Sequence, residues 1–160
     1  MQIRTFHGNL AEISGNAAYE KQLVEGLYQI KSELEEQIVQ LDSLKRKVRN
    51  WVNGKNLPSD REEAFQICFA MGFDLEQTEK LLTRLTEQGI HYRNGREAIF
   101  AYCLKYKRSY QDALRMAEQF VNRGQAKGGY QDPATQMIKD AFEKVKVLSR
   151  ITYQYGAFQS

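Results

Sequence analysis

The chain is poor in the residues that interrupt helices and in those that bind metals. Among its 160 residues there are two prolines, two cysteines and two histidines. So few prolines leave long uninterrupted stretches, which favours helices over a strand-and-turn architecture. Cys68 and Cys103 form no C-x-x-C pair, so the sequence contains no zinc pattern. We expect both thiols to be reduced and buried, with no metal and no cofactor.

Long apolar runs and a strong net charge are also missing. The first residues, Met1–Phe6, lack the apolar segment of a signal peptide, and no apolar run approaches the length of a membrane span. This pattern predicts a cytoplasmic protein without membrane contact. The net charge of +3 and the pI near 8.8 permit a nucleic-acid partner without requiring one, because DNA-binding domains usually lie above about 9.

Catalytic patterns are absent as well. His7 and His91 stand alone, with no cysteine or carboxylate at the spacing of a ligand set, and no Ser-His-Asp arrangement is arguable. The phosphate-binding pattern G-x-x-x-x-G-K-S/T does not occur. We therefore predict that the protein is not an enzyme and has no small-molecule substrate.

Apolar residues recur every three or four positions along residues 18–52, as on one face of a helix. Two interpretations are open. The first is one long helix that pairs with a second copy, giving a homodimer through the 23–48 stripe. The second, slightly favoured, is a pair of helices broken near Gln40–Ser43, because Asp42 or Ser43 suits a helix cap better than a helix interior.

Helix ends and caps continue down the chain. Asn53-Gly54 predicts a helix stop, and Ser59 or Asp60, Asp74 and Ser109 predict new helix starts. The expected fold is all-α: a compact orthogonal bundle of six or seven helices with a degenerate helix-turn-helix-like core.

The predicted domain organisation has four parts. Residues 1–17 form an irregular lead-in, and residues 18–122 form the helical core domain. Residues 123–131 are a linker rich in glycine, which maximises backbone freedom. Residues 132–160 form a C-terminal helix and an aromatic tail that packs on the core, in the same chain or swapped between chains.

A weak internal sequence repeat relates two segments of the chain. Residues 61–78 and 96–113 share a similar start, a cysteine on the inward face and a capped second helix. Cys68 and Cys103 are then equivalent positions of two stacked helical hairpins.

The main candidate site is a basic cluster on the helix that contains Trp51. Leu44, Val48 and Trp51 point to the core, which leaves the cations outside. Such side chains read base edges and hold phosphates. A solvated face, a face paired with preceding glutamates, or a protein contact are the alternatives. The candidate nucleic-acid-binding residues are Lys45, Arg46, Lys47, Arg49, Asn50, Asn53, Lys55 and Arg61.

A second basic group is interleaved with tyrosines, which suits stacking on single-stranded nucleic acid. Tyrosines at helical spacing are nevertheless more often core residues with a hydrated hydroxyl, and that interpretation is favoured. The secondary patch comprises Arg93, Arg96, Lys105, Lys107 and Arg108, with Tyr92, Tyr102, Tyr106 and Tyr110.

Several of these motifs together resemble small all-helical proteins of Gram-positive bacteria and mobile elements, which are similar to phage-repressor-type (Cro-like) helix-turn-helix regulators. The motifs are Trp51–Pro58, Ile67–Gly72, Tyr92–Ile99, Tyr102–Leu104 and Ser109–Ala113. The resemblance implies an all-helical regulator that binds duplex DNA and has no catalytic residues. The competing hypothesis is a helical protein-interaction module, such as a death-like adaptor or a mobile-element inhibitor, that acts by oligomerisation or partner binding.

Overall fold

The structure, a computed structural model, describes residues 5–34 and 40–126, with side chains up to residue 120. All regular secondary structure in these ranges is helical, which confirms the all-α prediction. The helices are α1 (Phe6–Ser14), α2 (Glu20–Glu33), α3 (Leu41–Val52), α4 (Arg61–Ala70), α5 (Leu75–Thr86), α6 (Gly95–Lys105) and α7 (Tyr110–Ala126).

The first helix corrects the predicted irregular lead-in. The Thr5 hydroxyl caps α1 by accepting a hydrogen bond from the Gly8 N–H at 3.0 Å. Phe6, Leu10 and Ile13 are buried at helical spacing, and α1 packs against α3 and α5. The prediction of irregular structure for residues 1–17 is therefore wrong over Phe6–Ser14.

Two helices, not one, occupy the long apolar stripe. The helix α2 ends at Glu33 and α3 begins at Leu41, with residues 35–39 outside the described ranges. The N-cap position of α3 is Gln40, so the expected cap at Asp42 or Ser43 is wrong. Because α2 packs against α3, most of the stripe that the structure describes is covered within one chain, although Leu41 remains exposed. Its buried members are Leu23, Val24, Leu27, Leu44 and Val48.

The internal sequence repeat is also a structural repeat. In the hairpin α4–α5 the Phe73 N–H donates to the carbonyl of Cys68 at 3.0 Å, and in α6–α7 the Arg108 N–H donates to the carbonyl of Cys103 at 2.8 Å. Both are the six-residue bonds of a Schellman helix end. The two hairpins therefore share one backbone geometry.

The turn residues repeat at the same offset. The left-handed position of the first turn is Gly72 with φ 65°, and that of the second is Lys107 with φ 58°. Asp74 then caps α5 by accepting from the N–H three residues on, and the Ser109 hydroxyl accepts equivalently before α7. The predicted caps at Asp74 and Ser109 are confirmed.

Side chains at equivalent positions of α4 and α6 meet each other. Arg61 pairs with Glu97 at 2.6 Å, and Arg96 pairs with Glu62 at 2.6 Å, so each arginine reaches the glutamate that follows the other. Between them the rings of Phe65 and Phe100 lie 5.0 Å apart. This reciprocity indicates that the hairpins pack about a local pseudo-twofold axis.

The two cysteines occupy equivalent buried positions on α4 and α6 and are free thiols, as expected. Burial raises the pKa of both the Cys68 and the Cys103 thiol to about 12, so neither is a reactive thiolate near neutral pH.

The last described helix extends beyond its predicted end. Since α7 continues to Ala126, the linker prediction for residues 123–131 is wrong over 123–126. The remainder of that linker and the predicted C-terminal helix and tail, 132–160, lie outside the described residues.

Candidate interaction surface

The helix α3 separates its apolar and basic side chains cleanly. Trp51 is buried against Phe6, with ring centroids 5.6 Å apart, while Leu44 and Val48 fill the same face. Lys45 and Arg46 are exposed on the outside. The amphipathic pattern alone accounts for this orientation, and it confirms the predicted inward tryptophan.

Two of the predicted contact residues form ion pairs with carboxylates of the same chain that are largely buried. The Lys47 ammonium lies 2.5 Å from the carboxylate of Glu63, which is buried, and 5.6 Å from the Trp51 ring. The Arg61 guanidinium bonds Glu97 and the loop after α5. These contacts hold α3 to α4 and α4 to α6, so we remove Lys47 and Arg61 from the predicted nucleic-acid surface.

The asparagines of the cluster serve the turn after α3. The backbone carbonyl of Asn50 accepts from the Lys55 N–H at 2.9 Å, and the Asn53 side chain also faces that N–H, at 3.4 Å. Gly54 follows with φ 81°, so the predicted helix stop is confirmed. The side chain of Asn53 is therefore occupied with local structure.

The remaining cations are exposed. Arg49 pairs with Glu20 at 3.0 Å, but both side chains are partly in solvent, and such pairs are weak. Lys45, Arg46 and Lys55 have no ion pair within residues 5–34 and 40–120. Lys45, Arg46 and Arg49 lie on one face of α3, and this set is the basic face below.

The basic face borders a groove of about 820 Å³ between the start of α2 and the outer side of α3, called the α2–α3 groove. The groove is not evident from the sequence, because its walls come from two separate segments, within residues 17–25 and 41–52. Its apolar lining residues are Ala17, Ala18, Val24, Leu41 and Val52. The charged side chains around it are Glu20, Lys21, Glu25, Lys45, Arg46 and Arg49.

His7 and Tyr19 also line the groove. The His7 Nδ1 lies 3.1 Å from the Tyr19 hydroxyl, and the Tyr19 residue is 1% exposed. Burial, and then the charge of Glu20, raise the pKa of the Tyr19 hydroxyl to about 12. Tyr19 is therefore a neutral hydrogen-bonding wall at neutral pH, which ties α1 to the start of α2.

Some cations of the secondary patch are bonded within the chain and others are exposed. Arg96 is bound to Glu62, and the Lys107 ammonium donates to the Gly72 carbonyl at 3.0 Å. Arg93 is exposed on the loop before α6. Two of the five cations of the patch, Arg96 and Lys107, therefore hold one hairpin to the other.

A smaller basic-aromatic surface is left on α6. Lys105 lies 5.4 Å from the Tyr106 ring and Arg108 lies 5.8 Å from the Tyr102 ring, with the two rings 4.7 Å apart. Tyr106 is 46% exposed, whereas Tyr110 is buried in the core. The core interpretation holds for Tyr110 and is wrong for Tyr106.

Two carboxylates beside Arg61 have opposite pKa shifts. Burial disfavours the charge of Glu97. Hydrogen bonds from the Arg61 side chain and the His91 backbone N–H, together with the electrostatic effect of the Arg61 and His91 side chains, outweigh this burial and lower the pKa of Glu97. Burial also disfavours the charge of Glu79, and there the Ile90 N–H and Arg61 do not compensate, so the pKa of Glu79 is raised.

These shifts predict opposite pH dependences for two isosteric variants. At pH 7 Glu97→Gln should cost about 1–2 kcal/mol, a loss that shrinks as pH falls through the lowered pKa, where the wild-type carboxylate gains its proton. Glu79→Gln should be neutral or stabilising at pH 7, and its difference from the wild type should shrink as pH falls through the raised folded-state pKa and vanish only below the ordinary pKa that the carboxyl has in the unfolded chain. Urea unfolding of both variants from about pH 7 to about pH 3.5 tests this. Parallel pH profiles would contradict it.

Within the part of the chain that the structure describes, no three His, Cys, Asp or Glu side chains are grouped to hold a metal ion. Over the same ranges, no helix combines the length and apolarity needed to cross a bilayer. Comparison with protein-family models, with curated proteins and with solved structures found no match to this chain.

Proposed function

We propose that this protein is a non-enzymatic helical module that binds other proteins, and that the basic face and the α2–α3 groove form its contact surface. The observation that supports this proposal is that the exposed cations of the basic face lie next to an open, mainly apolar groove. A protein segment supplies both apolar side chains and charge, and interfaces between proteins bury both.

Nucleic acid fits this surface less well. A duplex presents phosphates, which use the cations and leave the apolar lining uncovered. Glu25 also lies at the groove, where its carboxylate repels phosphates. Lys47 and Arg61, which would have widened the positive surface, are held by internal carboxylates.

Binding to duplex DNA is the second candidate, and one observation favours it. Lys45, Arg46 and Lys55 are exposed, with no ion pair among the described residues. The regulatory role implied by the repressor resemblance belongs to this candidate. Its weak point is that Asn53, one of the predicted contact residues, has its side chain engaged in the turn after α3.

One pair of experiments separates the candidates. Fluorescence anisotropy with a labelled mixed-sequence duplex, at about 0.05 M and about 0.2 M salt, measures DNA binding and its salt dependence. Panning a displayed peptide library on the immobilised full chain, followed by affinity measurements on resynthesised peptides, measures protein recognition.

We expect resynthesised peptides that bind the chain and compete with one another, and only weak, non-specific duplex binding at the higher salt. Tight duplex binding that is lost in Arg46→Ala/Arg49→Ala, together with a library that yields no binders, would replace the protein-binding proposal with the DNA-binding one.

A further inference from the structure

We propose that the α2–α3 groove takes an acidic, amphipathic peptide segment of a partner protein. The inference rests on the proposed function and specifies the partner's chemistry. Apolar side chains of the segment lie on the groove lining, and its carboxylates face Lys21, Lys45 and Arg46.

The lining supplies the apolar half of the match. Leu41, on the first turn of α3, is 41% exposed and is one of four large apolar side chains left exposed among the described residues. Val52, three turns later on nearly the same face of α3, is partly buried at the same groove. Two aliphatic side chains at this separation suit a segment with apolar residues at helical spacing.

The charges supply the polar half. Arg49 and Glu20 neutralise each other across the groove at 3.0 Å. Lys21, Lys45 and Arg46 then remain against the single carboxylate of Glu25, which gives the surface an excess of positive charge. A partner segment rich in Asp and Glu is favoured by this excess, and one rich in Lys and Arg is repelled.

The helix ends act in the same direction. Neither Tyr19 before α2 nor Gln40 before α3 offers a side-chain cap, and the first turns of both helices border the groove through Lys21 and Leu41. The amino end of a helix carries a partial positive charge, which adds to that of the cations.

The size of the groove limits the occupant. A volume of about 820 Å³ lies within the range of roughly 300–1,000 Å³ that ligand sites occupy, which accommodates a few side chains of a peptide. A duplex is too wide to enter it and would contact only the rim.

The test uses three synthetic peptides of about 15 residues, a length at which helices form marginally in water. The first has leucines on one helical face and glutamates beside them. The second replaces the glutamates with lysines, and the third replaces the leucines with serines. Fluorescence anisotropy measures the affinity of each for the full chain.

We expect the leucine-glutamate peptide to bind at least about tenfold more tightly than either variant peptide. Lys45→Glu/Arg46→Glu should weaken it by about tenfold or more, whereas the control Lys55→Glu/Lys80→Glu, with the same change in net charge away from the groove, should not. Leu41→Asp should weaken it and Leu57→Asp, another exposed leucine outside the groove, should not.

Circular dichroism of each variant checks the fold, and all six substituted side chains are exposed, so the core is untouched. Equal binding of the glutamate and lysine peptides, or equal losses in groove and control variants, would overturn the groove assignment while library-derived binders still upheld the proposed function. Tight duplex binding lost in Lys45→Glu/Arg46→Glu, with no peptide bound, would overturn both.

Discussion

Arg61→Ala is expected to lower the free energy of unfolding by about 3 kcal/mol, the largest loss predicted for a single side chain here. The Arg61 guanidinium bonds both carboxylate oxygens of Glu97, at 2.6 and 2.8 Å, and also Thr86 Oγ1 and the carbonyls of Gln88 and Gly89. Truncation leaves the Glu97 carboxylate, with a side chain 12% exposed, without its counter-ion.

The matched control is Arg96→Ala. This arginine makes the equivalent bidentate pair with Glu62, but both side chains are more than one third exposed, so about 1 kcal/mol or less should be lost. Urea unfolding of both variants at pH 7 gives the comparison. Equal losses would show that burial does not distinguish the two halves of the repeat.

Gly26→Ala is expected to destabilise the protein by about 2–3 kcal/mol, although alanine has a higher helix propensity than glycine. In the interior of a helix, alanine is normally about 1 kcal/mol better than glycine. At position 26, however, an added Cβ would lie 2.5 Å from the carbonyl oxygen of Ala70 and 2.7 Å from its Cβ. The backbone of Ala70 cannot move aside as a flexible side chain can, so α2 and α4 would have to move apart to accommodate the added Cβ.

Gly8→Ala provides the control for this steric argument. The added Cβ in α1 would lie 3.3 Å from the Thr5 hydroxyl, which can shift by a few tenths of an ångström. We expect a change within about 1 kcal/mol of the wild type, because propensity and the small displacement oppose each other. Unfolding midpoints in urea measure both variants, and a Gly26→Ala protein more stable than the wild type would refute the close crossing of α2 and α4.

The fold was predictable wherever short-range patterns act. The caps at Asp74 and Ser109, the stop at Gly54 and the inward face of α3 follow from interactions between residues within one or two helical turns. The helix α1 could also have been predicted from the sequence, because Thr5 suits a cap and Phe6, Leu10 and Ile13 have helical spacing. The glycines and asparagines nearby obscured it.

The candidate site was predictable only in part, because charge in a sequence does not say where a counter-charge lies. The exposure of Lys45 and Arg46 follows from their place opposite the apolar stripe of α3. Nothing local indicates that Lys47 meets Glu63, or that Arg61 meets Glu97 thirty-six positions away. The α2–α3 groove was hidden for the same reason.

The order of residues along this chain was enough to establish its helical class, its paired hairpins and the basic side of α3. Those features depend on hydrogen bonds and spacings within a helix or across a single turn. Packing alone decided which cations are neutralised, how closely α2 approaches α4 and where an apolar groove remains open. Such features arise from contacts between distant segments, whose geometry is set when the whole core is assembled.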